Sequence, residues 1–164
     1  MKTTGIVFLI LVLCFSPVIS RINAQEVERI KVPDLEIILK NPENKLFVIN
    51  LWATWCPPCV KELPDFEKVA KSYKKSDVSF VMISLDFPSE IEKTLIPFLE
   101  KNGVSLDVKV MTDTDYNSWI DKVDTNWQGN IPSTLFFNNH KKFRYFHSGE
   151  ISEPELRKII DSLI

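Results

Sequence analysis

Residues 51–64 read LWATWCPPCVKELP, and this stretch decides the fold. Cys56 and Cys59 are separated by two prolines and preceded by tryptophan. Before them, residues 46–53 (LFVINLWA) form an apolar run of strand length, as in a central strand buried on both faces. After them, Val60, Leu63, Phe66 or Glu67, and Ala70 recur at helical spacing to about Tyr73. Pro57 and Pro58 suit the first turn of such a helix, where a missing N–H costs little. Pro64 is expected to kink it. The cysteines therefore sit where a buried strand turns into a helix. Unpaired amides and the positive end of the helix dipole stabilise an anion there. The thiolate is such an anion, and it is the form of cysteine that attacks disulfides. A loop this short constrains the unfolded chain little, so a stabilising staple is a poor account of the pair. Structural zinc wants four ligands, and the other soft candidates, His140 and His147, have a spacing that matches no zinc pattern. The pair reads as a redox dithiol; a metal site is the lesser alternative, and no metal is expected.

Outward from this centre, strands and helices alternate. Residues 25–33 read as a polar lead-in, 34–40 as a short helix, and NPEN at 41–44 as a turn. Residues 78–85 (VSFVMISL) make a second buried strand. Ser89 and Glu92 have capping-box spacing and open a helix that Asn102–Gly103 stops. Residues 107–111 read as a third strand and 116–122 as a short helix. Residues 133–138 and 142–147 form an antiparallel hairpin about NNHK. Ser152 and Glu155 make a second capping box, opening a last helix to Leu163. This order predicts an α/β protein whose central mixed β-sheet is flanked by helices.

With 164 residues, 45% of them hydrophobic and 26% charged, the chain suits one globular domain. Residues 1–24 stand apart. Lys2 is followed by an unbroken apolar run, Gly5–Ile19, and then by polar residues from Ser20. This is the pattern of a secretory signal peptide cleaved after Ser20 or Ala24, with an uncleaved N-terminal anchor as the alternative; the run is short for a transmembrane helix. Residues 25–164 then form the folded domain. Cys14 lies within the apolar run, and Leu13 before it is not the small residue that lipidation requires. Loss of Lys2 and Arg21 takes 20 basic side chains to 18 against 22 acidic ones, a net charge of −4. That balance lacks the basic footprint of a nucleic-acid binder, and no nucleic-acid partner is expected. Export places the remaining cysteines, Cys56 and Cys59, in an oxidising compartment, in a domain large enough to be stable without a disulfide.

WATWCPPC followed by KELP, together with IPSTLFF at residues 131–137, closely resembles the TlpA/ResA branch of the thioredoxin-fold thiol-disulfide oxidoreductases. The resemblance covers roughly residues 30–164. It implies a thioredoxin-like fold, with Cys56 as an exposed nucleophile and Cys59 as the resolving cysteine. It also implies no cofactor other than the redox-active disulfide Cys56–Cys59. Pro132 matches the family's cis-proline, which faces the cysteine pair; a cis Ile131–Pro132 bond would turn the Ile131 backbone toward an extended substrate chain. Glu62 matches a glutamate found near the dithiol in ResA-like members, where a partly desolvated carboxylate can take or give a proton as the thiols change state; the other reading is a solvated helix residue. Asn50 stands where cytosolic thioredoxins carry a buried aspartate, which favours the exported branch and leaves proton transfer to Glu62. Trp55 adjoins the nucleophile and is the strongest tryptophan for a substrate groove; Trp52 reads as core and Trp127 as either. The implied function is an exported reductase of protein disulfides in the periplasm or at the outer face of the cytoplasmic membrane. Its partners would be protein thiols and disulfides, apocytochrome c among them, and a membrane electron donor of the DsbD/CcdA type. The alternatives are a disulfide-forming oxidant and a non-catalytic thioredoxin-fold module that binds peptide or metal.

Overall fold

In the computed structural model, which describes residues 27–164, strand β2 (Leu46–Trp52) is buried at every position and runs through the middle of the sheet. The leader expected over residues 1–24 lies outside the described residues. On one side β2 pairs in parallel with β3 (Val78–Ser84), which pairs in parallel with β4 (Asp107–Met111). On the other it pairs antiparallel with β5 (Ser133–Asn138), which forms a hairpin with β6 (Phe143–Ser148). A short β1 (Glu28–Ile30) adds in parallel to β4, so the order is β1-β4-β3-β2-β5-β6. Residues 28–30, read as part of a polar lead-in, thus belong to the sheet. Two of these three residues are exposed and only Ile30 is buried, which leaves no alternation to betray a strand.

Alternation along β2 divides the core. Phe47, Ile49 and Leu51 join α1 (Val32–Leu39) and α4 (Ile120–Val123) on one face of the sheet. Val48 and Trp52 join α2 (Pro57–Ala70), α3 (Ile96–Asn102) and α5 (Glu153–Asp161) on the other. Burying one such side chain contributes roughly 1.5–3 kcal/mol. Asn50, the one polar residue of β2, shares the face of Val48 and Trp52 and so looks toward α2.

Helix α2 continues through Pro64. Residues 88–102 do not form one helix opened by Ser89. A 3₁₀ turn (Pro88–Glu90) and a π turn (Ile91–Leu95) precede α3. Pro97 has no N–H to offer the Lys93 carbonyl, and the Ile96 N–H bonds to Ile91 O, the wider spacing of a π turn. Residues 116–122 likewise divide into a 3₁₀ turn (Tyr116–Ser118) and α4. At α5, Ser152 holds the N-cap position, but its side chain makes no capping bond. Carboxylates of α2 serve instead: Asp65 Oδ2 accepts from Glu153 N at 3.0 Å, and Glu62 Oε2 accepts from Ile151 N at 2.9 Å. The start of α5 is thereby tied to the helix that carries the cysteines. Among the described residues no helix is long and apolar enough to cross a membrane.

Candidate active site

After Trp52 the chain turns through Ala53–Trp55, and Cys56 becomes the N-cap of α2 in extended backbone conformation. Its Sγ accepts from Cys59 N–H at 3.4 Å, and Pro57 and Pro58 fill the first turn. The sulfur thus takes the place of a side-chain oxygen cap. Cys56 and Cys59 are joined by a disulfide. Cys56 is 5% exposed and Cys59 0%, so Cys56 is the more accessible sulfur but lacks the open exposure that the resemblance implied. Both cysteines belong to the apolar cluster of Trp52, Ala53 and Leu63, and the bond to Cys59 draws Cys56 into it. Trp55, Pro57 and Pro58 form the outer surface in its place.

One helical turn after Cys59, Glu62 is 2% exposed, not solvated. Its Oε1 accepts from Asn50 Nδ2 at 2.8 Å and its Oε2 from Ile151 N. Asn50 also donates to Thr134 Oγ1 at 3.1 Å, so β2, α2, β5 and the approach to α5 meet at this carboxyl. Burial pushes the Glu62 carboxyl up from 4.5 to about 7. The donors from Ile151 and Asn50 oppose the rise without cancelling it, and the negative charges of Glu150 and Asp65 add to it.

The Ile131–Pro132 peptide bond is cis. Pairing of Leu51 with Ser133 sets this loop beside the end of β2, next to the turn that leads to Cys56. Trp127 Nε1 and Ser133 Oγ both donate to Asn130 O, at 2.8 and 2.9 Å, and Asn130 Nδ2 donates to Ser148 Oγ at 2.6 Å. These bonds pin the loop. Trp127 is therefore core, packed between Trp119 and Phe146 with ring centroids 5.6 and 6.2 Å away. Trp52 is core as well. Ile131 is half-buried and touches the clusters on both sheet faces. The structure thus gathers Cys56, Cys59, Trp55, Glu62, Ile131 and Pro132 at one end of the sheet.

The profile of the AhpC/TSA family matches residues 23–146. The chain belongs to the AhpC/TSA family. Thiol-disulfide oxidoreductase ResA of Halalkalibacterium halodurans is 27% identical over 131 residues, 78% of this chain and 69% of that one. Thioredoxin-like protein YneN of Bacillus subtilis is 25% identical over 126 residues, 75% of this chain and 68% of that one. The crystal structure of a thioredoxin-related protein from Neisseria meningitidis serogroup B matches with a TM-score of 0.64 at 30% identity, over 76% of this chain and 88% of that one. This member of the AhpC/TSA family is a TlpA/ResA-like thiol-disulfide oxidoreductase with a thioredoxin fold.

One feature of this AhpC/TSA-family enzyme escapes a reading of its motifs. Asp86, 2% exposed, lies just past β3 and accepts from Thr54 N at 3.1 Å, from the Thr54 hydroxyl, and from Ser84 Oγ at 2.7 Å. The turn before Cys56 is thus fastened to the neighbouring strand. The available signal was an acidic residue ending the buried run VSFVMISL, at the carboxyl end of parallel strands where sites of α/β folds gather.

Proposed function

We propose that this enzyme is an exported reductase of protein disulfides. The observation that carries the reading is the electrostatic setting of the pair. Both cysteines lie in an apolar cluster, with the buried Glu62 carboxyl one turn on. Residues 46–60 contain no basic side chain, and the first one after them, Lys61, is paired with Glu150 at 2.5 Å. Burial and a nearby carboxylate disfavour a thiolate, whereas cations favour it. A strongly oxidising disulfide draws its driving force from a stabilised reduced form; here burial and the Glu62 carboxyl oppose what the helix N-terminus gives the Cys56 thiolate, and no basic side chain in residues 46–60 adds to it.

In the proposed cycle the Cys56 thiolate attacks one sulfur of a substrate disulfide. A mixed disulfide forms and the first substrate thiolate leaves. Cys59 then attacks Cys56 Sγ, the second substrate thiolate leaves, and the Cys56–Cys59 disulfide is restored. Glu62, on the helix face of Cys59, accepts the proton that Cys59 gives up; a carboxyl titrating near neutral pH suits that task. Trp55, Ile131 and Pro132 receive the substrate as an extended chain. No cofactor beyond the disulfide takes part. The resemblance to the TlpA/ResA branch supports apocytochrome c as a substrate and a membrane donor of the DsbD/CcdA type. The leader pattern supports the periplasm or the outer face of the cytoplasmic membrane.

Equilibration with glutathione or dithiothreitol buffers is expected to give a potential well below the roughly −120 mV of strong oxidants. A value near that end would make the enzyme a disulfide-forming oxidant. N-terminal sequencing of an exported fraction is expected to find a start after Ser20 or Ala24. Intact Met1 in the cytosol would remove the export reading.

A further inference from the structure

Strands β2 and β3 leave the sheet side by side. Leu85 N donates to Trp52 O at 2.8 Å, carrying the parallel ladder past the Trp52–Ser84 pair. One residue further, the Asp86 carboxylate clasps Thr54 through its amide and hydroxyl. The residue after each half of that clasp is a large aromatic left in solvent: Trp55 is 56% exposed and Phe87 54%. Since consecutive Cα atoms are about 3.8 Å apart, each aromatic stands one short step from the same hydrogen-bonded contact. Folding alone does not favour this arrangement, because burying such side chains is what stabilises a domain. Pro57, Pro58, Pro88 and Ser89 are also exposed, so the solvent-facing residues of both segments from 54 to 58 and from 87 to 89 carry no charge. On this side a substrate chain reaching Cys56 therefore meets a rim that is uncharged and largely apolar.

We propose that Trp55 and Phe87 form a paired aromatic platform that selects substrate chains with an apolar residue beside the cysteine under attack, and that Asp86 is the positioning residue that holds the platform together through Thr54. The inference rests on thiol-disulfide exchange with protein substrates and holds in either direction of electron flow. An apolar substrate side chain loses water against two aromatic faces, whereas a polar one loses its hydration with no partner in return.

The test mixes the reduced full-length protein with either of two peptide disulfides that differ only in leucine or glutamine next to the attacked cysteine. The second-order rate constant is expected to favour the leucine peptide about fivefold, which is about 1 kcal/mol at 1.4 kcal/mol per tenfold. Phe87→Ser, at an exposed position that tolerates change, is expected to bring the ratio close to one by raising the half-saturating concentration of the leucine peptide while its limiting rate changes little. Asp86→Asn and Thr54→Val should lower the ratio in the same way. Thr54→Ser, which keeps both donors, should preserve it. A ratio near one in the unsubstituted protein overturns the inference and leaves the reductase reading standing. So does Phe87→Ser slowing both peptides alike, or Asp86→Asn lowering both limiting rates with the ratio intact. Exchange with neither peptide overturns the underlying reading and the inference together.

Discussion

Replacing Cys59 with serine is expected to leave substrate protein covalently held on Cys56 and to lower turnover by more than about a hundredfold. The first attack needs an approach to the sulfur, and Cys59 has none, sealed in the cluster of Trp52, Leu63 and Phe66. Cys56 keeps some access and sits at the end of α2, where the Cys59 amide points at its sulfur. A thiolate there gains from the helix N-terminus, while one at Cys59 lies inside the first turn. Without a second thiol the mixed disulfide has no internal attacker and persists. Cys56→Ser should form few adducts, because the remaining thiol cannot meet a bulky disulfide. Non-reducing gels of both variants, with mass spectrometry of the adducts, read the outcome and identify the substrate. Equal trapping by the two variants, or adducts confined to Cys59, would reverse the assigned roles.

The second large effect concerns stability and Glu62. Its carboxyl is pushed up from 4.5 to about 7 in the folded chain, chiefly by burial. Between those values the folded chain holds a proton that the unfolded chain releases. The contribution of Glu62 to folding stability is therefore greatest below about pH 4.5 and is lost as pH rises through about 7. One such proton changes stability by about 1.4 kcal/mol over each pH unit in that window, so the whole loss is about 3 kcal/mol. Glu62→Gln removes the titration. Urea unfolding of the disulfide forms at pH 5 and pH 8 should show the unsubstituted protein losing up to about 3 kcal/mol relative to the variant. The other titrating groups are common to both proteins, so the difference isolates this carboxyl. Parallel pH dependence in the two would mean that Glu62 titrates like an ordinary surface carboxyl.

The same residue marks how far a reading of the sequence reaches. Helical spacing places Glu62 one turn beyond Cys59, but spacing does not say what covers that face. The cover comes from Asn50 on β2 and Ile151 before α5, which lies 89 positions from Glu62 along the chain. At Ser152 the local capping-box pattern is present, yet Asp65 on another helix reaches the Glu153 amide and leaves the pattern unused. At Ser89 the local pattern fails for a different cause: a 3₁₀ turn opens one residue earlier, at Pro88 with Phe87 as its N-cap, so Ser89 lies inside the turn.

Taken alone, the sequence determined what short-range chemistry can determine. It set a buried strand running into a proline-started helix, a cysteine pair at that junction, the hairpin at 133–148, and an α/β alternation that allows few other folds. The tertiary structure alone decided the pairing of β1 with β4, the burial that raises Glu62, the near-closure of Cys56 behind Trp55 and the prolines, and the Asp86 clasp on Thr54. The physical reason is the range of the forces. Propensity, capping and helix dipoles act within a turn or two, whereas desolvation and hydrogen bonding of a buried carboxylate depend on whichever distant segments close around it.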